Sequence, residues 1–129
     1  MTEITGIHHI ALIVSNHEKS LAFYVDVLGF KIKESHYRED RKSHKTDLSL
    51  NGKYTLELFT FPDSPARMSF PEAIGLRHLA FSVKDVQAYR NYLLKNDVSC
   101  ETIRTDEFTG RTFFFAFDPD QLPLEFYQS

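Results

Sequence analysis

The spacing of apolar residues along the chain changes in the same order twice. Residues 6–14, GIHHIALIV, form a nearly continuous apolar run that predicts a buried strand, and residues 75–83, GLRHLAFSV, form a second. After each run, apolar residues recur at the three- and four-residue intervals of a helix. These residues are Leu21, Tyr24, Val25 and Leu28 in the first half, and Val86, Tyr89 and Leu93 in the second. Each half is therefore predicted to begin with a strand and a helix.

Both predicted helices carry end signals. Ser15 followed by Glu18 fits a capping box at the start of the first helix, and Gly29 suits the position just after its end. Asp85 is the expected N-cap of the second helix, and Asn96 can end it.

Extended segments follow each helix. In the first half they are FKIKESHY, KTDLSL and YTLELFTF, and Asn51-Gly52 is a hairpin turn between the last two. In the second half they are VSCETI, RTFFFAF and LPLEFYQ, separated by turns at Thr109-Gly110 and Asp118-Pro119-Asp120. The pattern predicts an α+β fold made of two βαβββ modules in tandem.

The chain is long enough for one domain, residues 1–129, rather than two. Within it we expect module one over residues 1–61 and module two over residues 75–129. The connector, 62–74, contains three prolines, which argue against regular structure inside it.

The first strands of the two modules align at a constant offset of 69 residues, which places His9 over His78 and His8 over Arg77. Neighbouring side chains in a strand point to opposite faces, so His8 and His9 are not expected to face one cavity together. Because His9 has a counterpart histidine, we expect it to be functional and His8 to lie on the other face.

Each module also places a glutamate between apolar residues in its last strand. Glu57 follows His9 by 48 positions, and Glu125 follows His78 by 47. A lone glutamate of this kind would be expected to face water. Two in matching positions, each with a matching histidine, indicate carboxylates on an inner face, where an unpartnered charge is costly.

A divalent metal ion is the expected partner of these carboxylates. Two imidazoles and two carboxylates form a mixed nitrogen and oxygen donor set whose negative charges balance such an ion, at about 2.0–2.2 Å for one the size of zinc. Nickel, cobalt, zinc, manganese and iron all suit these donors, so the sequence does not select among them.

The blocks HHIALIV, EKSLAFYVDVLGFKI, LELF, GLRHLAFSV and DPDQLPLEFYQ, taken in order, resemble those of the vicinal-oxygen-chelate (VOC) superfamily, which includes glyoxalase I. The resemblance covers nearly the whole chain and is closest to the small bacterial YaeR-type members. It implies the glyoxalase/bleomycin-resistance/dioxygenase fold, in which the two modules form a cupped, mostly antiparallel sheet around a metal. It also implies that the metal ligands are His9, Glu57, His78 and Glu125.

A carboxylate at both Glu57 and Glu125 looks most like bacterial glyoxalase I, which implies a metal-dependent lyase or isomerase similar to lactoylglutathione lyase. The substrate would be a hemithioacetal or a similar small α-oxygenated compound, and the reaction a proton transfer next to a carbonyl. Glu125 is the first candidate to carry the proton and Glu57 the second. The alternatives are another VOC metalloenzyme, an epimerase or thiol transferase, and a protein that binds a small ligand without turnover.

A thiol adduct would need cationic groups to anchor it. The arginines available are Arg38, Arg67, Arg77, Arg104 and Arg111. Arg111, which begins a strand after a tight turn, is the preferred candidate, although a solvated hairpin end explains it equally well. In the strand FFFAF, we expect Phe113, Phe115 and Phe117 to lie in the core under a helix and Phe114 to wall the substrate cavity.

Composition limits the kinds of partner that the protein is expected to bind. The net charge is −3 and no basic run is present, which argues against nucleic acid as a ligand. No apolar segment reaches the length of a membrane span, and the first residues do not resemble a signal peptide. We therefore expect a cytoplasmic protein that binds a small-molecule substrate and has no membrane partner. We also expect a homodimer, in which the two modules pair either within one chain or across the two chains.

Overall fold

The computed structural model describes residues 2–129 and confirms the predicted α+β class. The chain divides into two compact units, of which the first ends at Pro65 and the second spans Ala66–Ser129. Each unit contains one four-stranded sheet. No helix within residues 2–129 has the length and apolar character that crossing a membrane requires.

The first unit follows the predicted βαβββ order. Helix α1 continues directly into one stretch of π-helix, Ala22–Val27. Strand β1 runs parallel to β4, and the other neighbours are antiparallel, in the order β1-β4-β3-β2. The elements are β1 (Ile10–Ile13), α1 (His17–Leu21), β2 (Lys31–Arg38), β3 (Ser43–Leu50) and β4 (Lys53–Phe59).

The second unit repeats this topology, which confirms the predicted duplication. Its order is β5-β8-β7-β6, with β5 parallel to β8 and the other pairs antiparallel. The elements are β5 (Leu79–Val83), α2 (Val86–Lys95), β6 (Arg104–Thr105), β7 (Thr112–Phe117) and β8 (Pro123–Gln128).

Two local expectations are wrong. The N-cap of α1 is Asn16, whose Oδ1 accepts a hydrogen bond of 3.0 Å from the backbone N–H of Lys19, rather than Ser15. Asparagine and serine are equally good N-caps, so the sequence pattern did not fix this boundary to one residue. The segment VSCETI is not a strand, because it contributes an isolated bridge from Cys100 to Ala116. Asp85 caps α2 as predicted, through the N–H of Ala88 at 2.9 Å.

Alternation along the last strand of each unit sets the position of its glutamate. Leu56 and Leu58 in β4, like Leu124 and Phe126 in β8, are at most 1% exposed. Burial of such side chains stabilises the fold by about 1.5–3 kcal/mol each. Because strand residues alternate between faces, the glutamate between each pair lies on the opposite face of its sheet.

Candidate metal centre

The first histidine–glutamate pair follows from the parallel pairing of β1 with β4. Ala11 lies opposite Glu57 in that pairing, and His9 comes two residues earlier, immediately before β1. The Nε2 atom of His9 lies 3.6 Å from Oε1 of Glu57. The imidazole side chain is 35% exposed and the carboxylate side chain 11%, so the pair lies at the border between interior and solvent.

The second pair has the same construction. Ala80 of β5 lies opposite Glu125 of β8, and His78 comes two residues before Ala80. The Nε2 atom of His78 again lies 3.6 Å from Oε1 of Glu125. Equal strand register in the two units therefore produces an equal juxtaposition of donor atoms.

The donor atoms in each pair have the chemistry and spacing that a metal ion requires. Two donors that each bind one ion at about 2.1 Å can lie up to roughly 4.2 Å apart. The observed separation of 3.6 Å is within this limit in both pairs. Either pair could therefore hold one ion between its nitrogen and its oxygen.

The structure brings the four predicted ligands together as two pairs, one in each unit. Over residues 2–129, no three side chains of His, Cys, Asp or Glu form a group that could hold a metal. The complete set of His9, Glu57, His78 and Glu125 therefore stays a prediction.

A polar cluster surrounds Glu57. The Nζ atom of Lys45 lies 3.0 Å from Glu57 Oε2 and 2.9 Å from Asp47 Oδ1. The hydroxyl of Tyr54 donates to Asp47 at 3.2 Å and to Glu57 at 3.3 Å. Oxygen Oε2 of Glu57 is thus hydrogen-bonded within the cluster, whereas Oε1 faces His9.

The cluster shifts the pKa values of its members. Hydrogen bonds to the two carboxylates raise the pKa of Lys45. Burial by itself would raise the pKa of Asp47, but the hydrogen bond and positive charge of Lys45 outweigh it and lower that pKa below its usual value. Burial, followed by the charges of both carboxylates, raises the pKa of Tyr54. Lys45 is therefore an ammonium group and Asp47 a carboxylate at neutral pH.

The sequence predicted that His8 lies on the face opposite His9, and this prediction is wrong. Both residues precede β1, so the alternation of a strand does not separate them. Their Nδ1 atoms are 2.8 Å apart, and both rings contact Tyr54, with that of His9 stacked at a centroid distance of 5.0 Å. One of the two imidazoles therefore donates to the other and orients it.

The surroundings of Glu125 are aromatic instead. Phe115 of β7 lies directly opposite Glu125, and its ring meets the ring of His78 edge-on at 5.1 Å. Among residues 2–129, the ion-pair partner of Glu125 is His78.

The faces assigned to the phenylalanine strand are wrong. Phe114 is fully buried and stacks on Phe126, which in turn packs against Tyr89 of α2. Phe113, Phe115 and Phe117, which were expected in the core, are partly exposed and lie on the other, open face. The sequence could not decide between the faces because both are rich in apolar residues, and only the pairing with β8 sets which one α2 covers.

A cavity of about 590 Å³ lies within the second unit beside this pair, and we name it the arginine cavity. It is lined mainly by arginine and phenylalanine side chains, namely Arg67, Arg77, Arg104, Phe70, Phe115 and Phe117. Arg111 lies outside this lining, in an exposed turn where its N–H donates to Thr109 Oγ1 at 3.2 Å. Arg38 belongs to the first unit, where it lies over the ring of Phe59.

Lys45, Asp47 and Tyr54, which surround Glu57, were not predicted from the sequence to belong to the site. A signal was available, because Lys45 and Asp47 alternate in the strand that pairs with that of Glu57 across the Asn51-Gly52 hairpin. Counting back from that turn in unbroken register places Asp47 opposite Leu56, one position from Glu57, and the register shift between Leu48 and Ser49 then aligns it with Glu57.

Comparison with known proteins agrees with this architecture. The family model of the Glyoxalase/Bleomycin resistance protein/Dioxygenase superfamily matches residues 6–126. YwkD of Bacillus subtilis is 55% identical, over 97% of this chain and 98% of that protein. YaeR of Escherichia coli is 52% identical over 99% of both chains, and both relatives are described as uncharacterized.

Among solved structures, the glyoxalase family protein from Enterococcus faecalis has a TM-score of 0.90 and 41% identity, covering 96% of this chain and 98% of that one. Sequence, fold and the duplicated βαβββ unit agree with the resemblance seen in the sequence blocks. The chain belongs to the Glyoxalase/Bleomycin resistance protein/Dioxygenase superfamily, which is the vicinal-oxygen-chelate superfamily.

Proposed function

We propose that this protein is a metal-dependent lyase of the glyoxalase I type that transfers a proton between two carbons next to a carbonyl. The observation that supports the proposal is the repeated pair: in both units an imidazole Nε2 and a carboxylate Oε1 lie 3.6 Å apart in equivalent strand register. Two unrelated surface pairs would not be expected to share both register and distance.

The residues that would hold the divalent ion are His9, Glu57, His78 and Glu125. When bound, such an ion acts as a Lewis acid that stabilises negative charge developing on a substrate oxygen. Lys45 supports this arrangement by binding Oε2 of Glu57, which leaves Oε1 directed at His9. Mutating a residue that fixes the orientation of a metal ligand in this way commonly lowers metal affinity by about 10–100-fold.

Glu125 is the proposed proton carrier. Its carboxylate side chain is 18% exposed, and its ion-pair partner within residues 2–129 is His78, so a substrate carbon can reach it. Glu57 is more deeply buried and is held by Lys45 and Tyr54, which restricts its movement. A group that takes a proton from one carbon and returns it to the next must have room to move between them, which favours Glu125.

The proposed substrate is a small hemithioacetal formed by an α-oxoaldehyde and a thiol, and the product is a thioester. The direct test supplies methylglyoxal, a panel of thiols and one of Ni²⁺, Co²⁺, Zn²⁺, Mn²⁺ or Fe²⁺, and follows thioester absorbance. We expect turnover with at least one combination and none after EDTA treatment. Metal binding without thioester formation across the panel would overturn the lyase assignment in favour of another reaction of the superfamily. Failure to bind any metal would leave a non-catalytic binding protein.

The protein provides a matched control for the metal site. The Nε2 atom of His36 lies 3.6 Å from Glu34 Oε2, the same distance as in the site, but both of these side chains are 62% exposed. We expect His9→Ala and His78→Ala each to weaken metal binding, measured by calorimetry, and His36→Ala to leave it unchanged. Equal behaviour of the three variants would contradict the proposed ligands.

The proposed site needs a donor pair from each unit, taken from one chain or from two chains of a homodimer. Mixing two inactive variants tests which of these holds. If two chains share a site, a mixed dimer of His9→Ala and His78→Ala contains one site with all four ligands, and activity returns. If one chain supplies all four ligands, the mixture stays inactive.

A further inference from the structure

The arginine cavity carries an excess of positive charge. Arg67, Arg77 and Arg104 contribute three guanidinium groups, which stay charged at any ordinary pH, and Glu101 is the one carboxylate among the described lining residues. The volume of about 590 Å³ falls in the range typical of small-molecule sites, roughly 300–1,000 Å³. Charge and size therefore favour a small anion over a neutral or cationic ligand.

Arg67 has a structural role in one wall of the cavity. Its guanidinium donates to Ser69 Oγ at 3.0 Å and to the carbonyl oxygens of Leu76 and Arg77 at 3.2 and 2.8 Å. Arg77 donates back to the carbonyl of Ser69 at 3.1 Å. These cross-links hold residues 67–77, much of which was predicted as an irregular connector, in a fixed fold along the cavity.

Arg104 is held differently. Its guanidinium carbon lies 5.2 Å from the ring centre of Phe113 and 5.5 Å from that of Phe115, so stacking fixes its plane. Its Nη2 atom is 3.4 Å from Glu101 Oε1, and the two side chains are 53% and 49% exposed. Such a long, exposed ion pair contributes little, and an incoming anion can replace Glu101.

Phe115 connects the cavity to the second histidine–glutamate pair. The ring of Phe115 contacts the guanidinium group of Arg104, and its centre lies 5.1 Å from the centre of the His78 ring. In the sheet it is the residue directly opposite Glu125. A ligand that lies on Phe115 therefore has an arginine at one side and the proposed proton carrier at the other.

We propose that the arginine cavity binds an organic carboxylate whose charged group meets Arg104 and whose apolar or aromatic body lies on Phe115. This anion binding is independent of catalysis. The further statement that the cavity is the substrate-binding part of the site rests on the function proposed above.

Three related probes separate the contributions of charge and apolar body. The probes are 3-phenyllactate, which has both, lactate, which lacks the ring, and 3-phenylpropane-1,2-diol, which lacks the charge. We expect phenyllactate to bind at least about tenfold more tightly than either of the others by titration calorimetry, because loss of a charge-assisted hydrogen bond or of a buried ring costs at least that factor. Equal affinities for phenyllactate and lactate would overturn the proposal.

Variants locate the binding. We expect Arg104→Gln to weaken phenyllactate binding about tenfold or more and Phe115→Leu to weaken it less, whereas Arg41→Gln, an exposed arginine of the first unit, removes the same charge without effect. Unchanged affinity in Arg104→Gln would contradict the assignment. If that variant does not fold, backbone NMR of the unaltered protein decides: we expect phenyllactate to shift amides of residues 67–77, 101–104 and 113–117, and shifts confined to other regions overturn the proposal.

The binding experiment is performed on both metal-loaded and EDTA-treated protein, so its result does not depend on turnover. If phenyllactate binds but no thioester forms under any condition, the proposal of an anion site in the arginine cavity stands and the proposed lyase activity is overturned. If thioester forms and saturating phenyllactate does not inhibit the reaction, the proposed lyase activity stands, but the arginine cavity is not its substrate site.

Discussion

The two histidine–glutamate pairs have the same geometry and opposite surroundings. In both, Nε2 and Oε1 are 3.6 Å apart. Glu57 has Asp47 directly opposite it in the neighbouring strand, whereas Glu125 has Phe115 in the equivalent place. The first carboxylate is thus fixed by a network of charges, and the second lies beside an aromatic surface next to a cavity. The donor pair is repeated in both units, and the neighbouring strand gives each copy different surroundings.

A register shift underlies the difference. In the first unit, β3 and β4 pair as Leu50 with Lys53 and Ser49 with Tyr54, but a bulge then moves the register so that Asp47 meets Glu57. Without the bulge, Asp47 would lie opposite Leu56, on the core face. The pairing of β7 with β8 runs from Phe117 to Phe113 without such a shift. A bulge re-aims side chains near a functional site, and here it completes the cluster around Glu57.

The largest expected effect distinguishes the two glutamates. We expect Glu125→Gln to lower kcat by about 10²–10⁴-fold at saturating metal, because it removes the proposed proton carrier. Glu57→Gln should weaken metal binding chiefly, so that excess metal restores much of kcat. Steady-state kinetics over a metal titration measure both effects. If excess metal restores the kcat of Glu125→Gln as fully as that of Glu57→Gln, the two carboxylates do not have separate roles.

The second effect concerns Lys45. We expect Lys45→Met to lower the free energy of unfolding by about 1–3 kcal/mol, because it leaves the buried carboxylates of Asp47 and Glu57 without their ammonium partner. Metal affinity should also fall, by about 10–100-fold. Urea unfolding and metal titration provide the measurements.

Lys31→Met is the matched control for Lys45→Met, since Lys31 is an exposed lysine of the adjacent strand β2. Indistinguishable stability and metal affinity in the two variants would mean that the cluster does not support Glu57.

Much of the fold was predictable because the duplication appears in the order of strands, helices and turns. The two histidine–glutamate pairs were predictable for the same reason, since parallel pairing of the first and last strands of each unit brings their ends together. The cluster around Glu57 was not predicted, because the order of apolar and polar residues in β3 and β4 does not indicate where the bulge lies. The arginine cavity was not predicted because hydrogen bonds from Arg67 to the backbone of Leu76 and Arg77 order the connector, and the spacing of apolar residues does not reveal contacts between a side chain and the backbone.

A third prediction compares two arginines of the second unit. The sequence favoured Arg111 as the substrate anchor, whereas the arginine cavity favours Arg104. With an anionic substrate, we expect Arg104→Gln to raise KM about tenfold with little change in kcat, since it removes binding common to the ground and transition states. Arg111→Gln should change KM less than twofold, as expected for a solvated turn residue. The reverse order of KM values would restore Arg111 as the anchor.

The smallest expected effect is a pH dependence confined to the first unit. His17 donates to or accepts from Thr46 Oγ1 at 2.7 Å and stacks on His44 at 4.2 Å. Burial, followed by the nearby His44, lowers the pKa of His17 below its ordinary value of about 6.5, against a smaller opposing effect of Glu18. Above the unfolded pKa, His17 is neutral in both states. As the pH falls below it, the unfolded chain binds a proton that the folded state resists, so stability decreases until the pH passes the folded pKa.

We therefore expect the thermal midpoint to fall by a few degrees between pH 7.5 and pH 5, and His17→Gln to reduce that fall while keeping a group able to hydrogen-bond with Thr46. His36→Gln, at an exposed position in β2, is the control and should leave the fall unchanged. Because the second unit has no counterpart of the His17–His44 stack within residues 66–129, tryptic cleavage and amide exchange should locate the acid-sensitive region before Pro65. An acid-induced loss of protection that begins in the second unit would instead assign the pH dependence to groups other than His17.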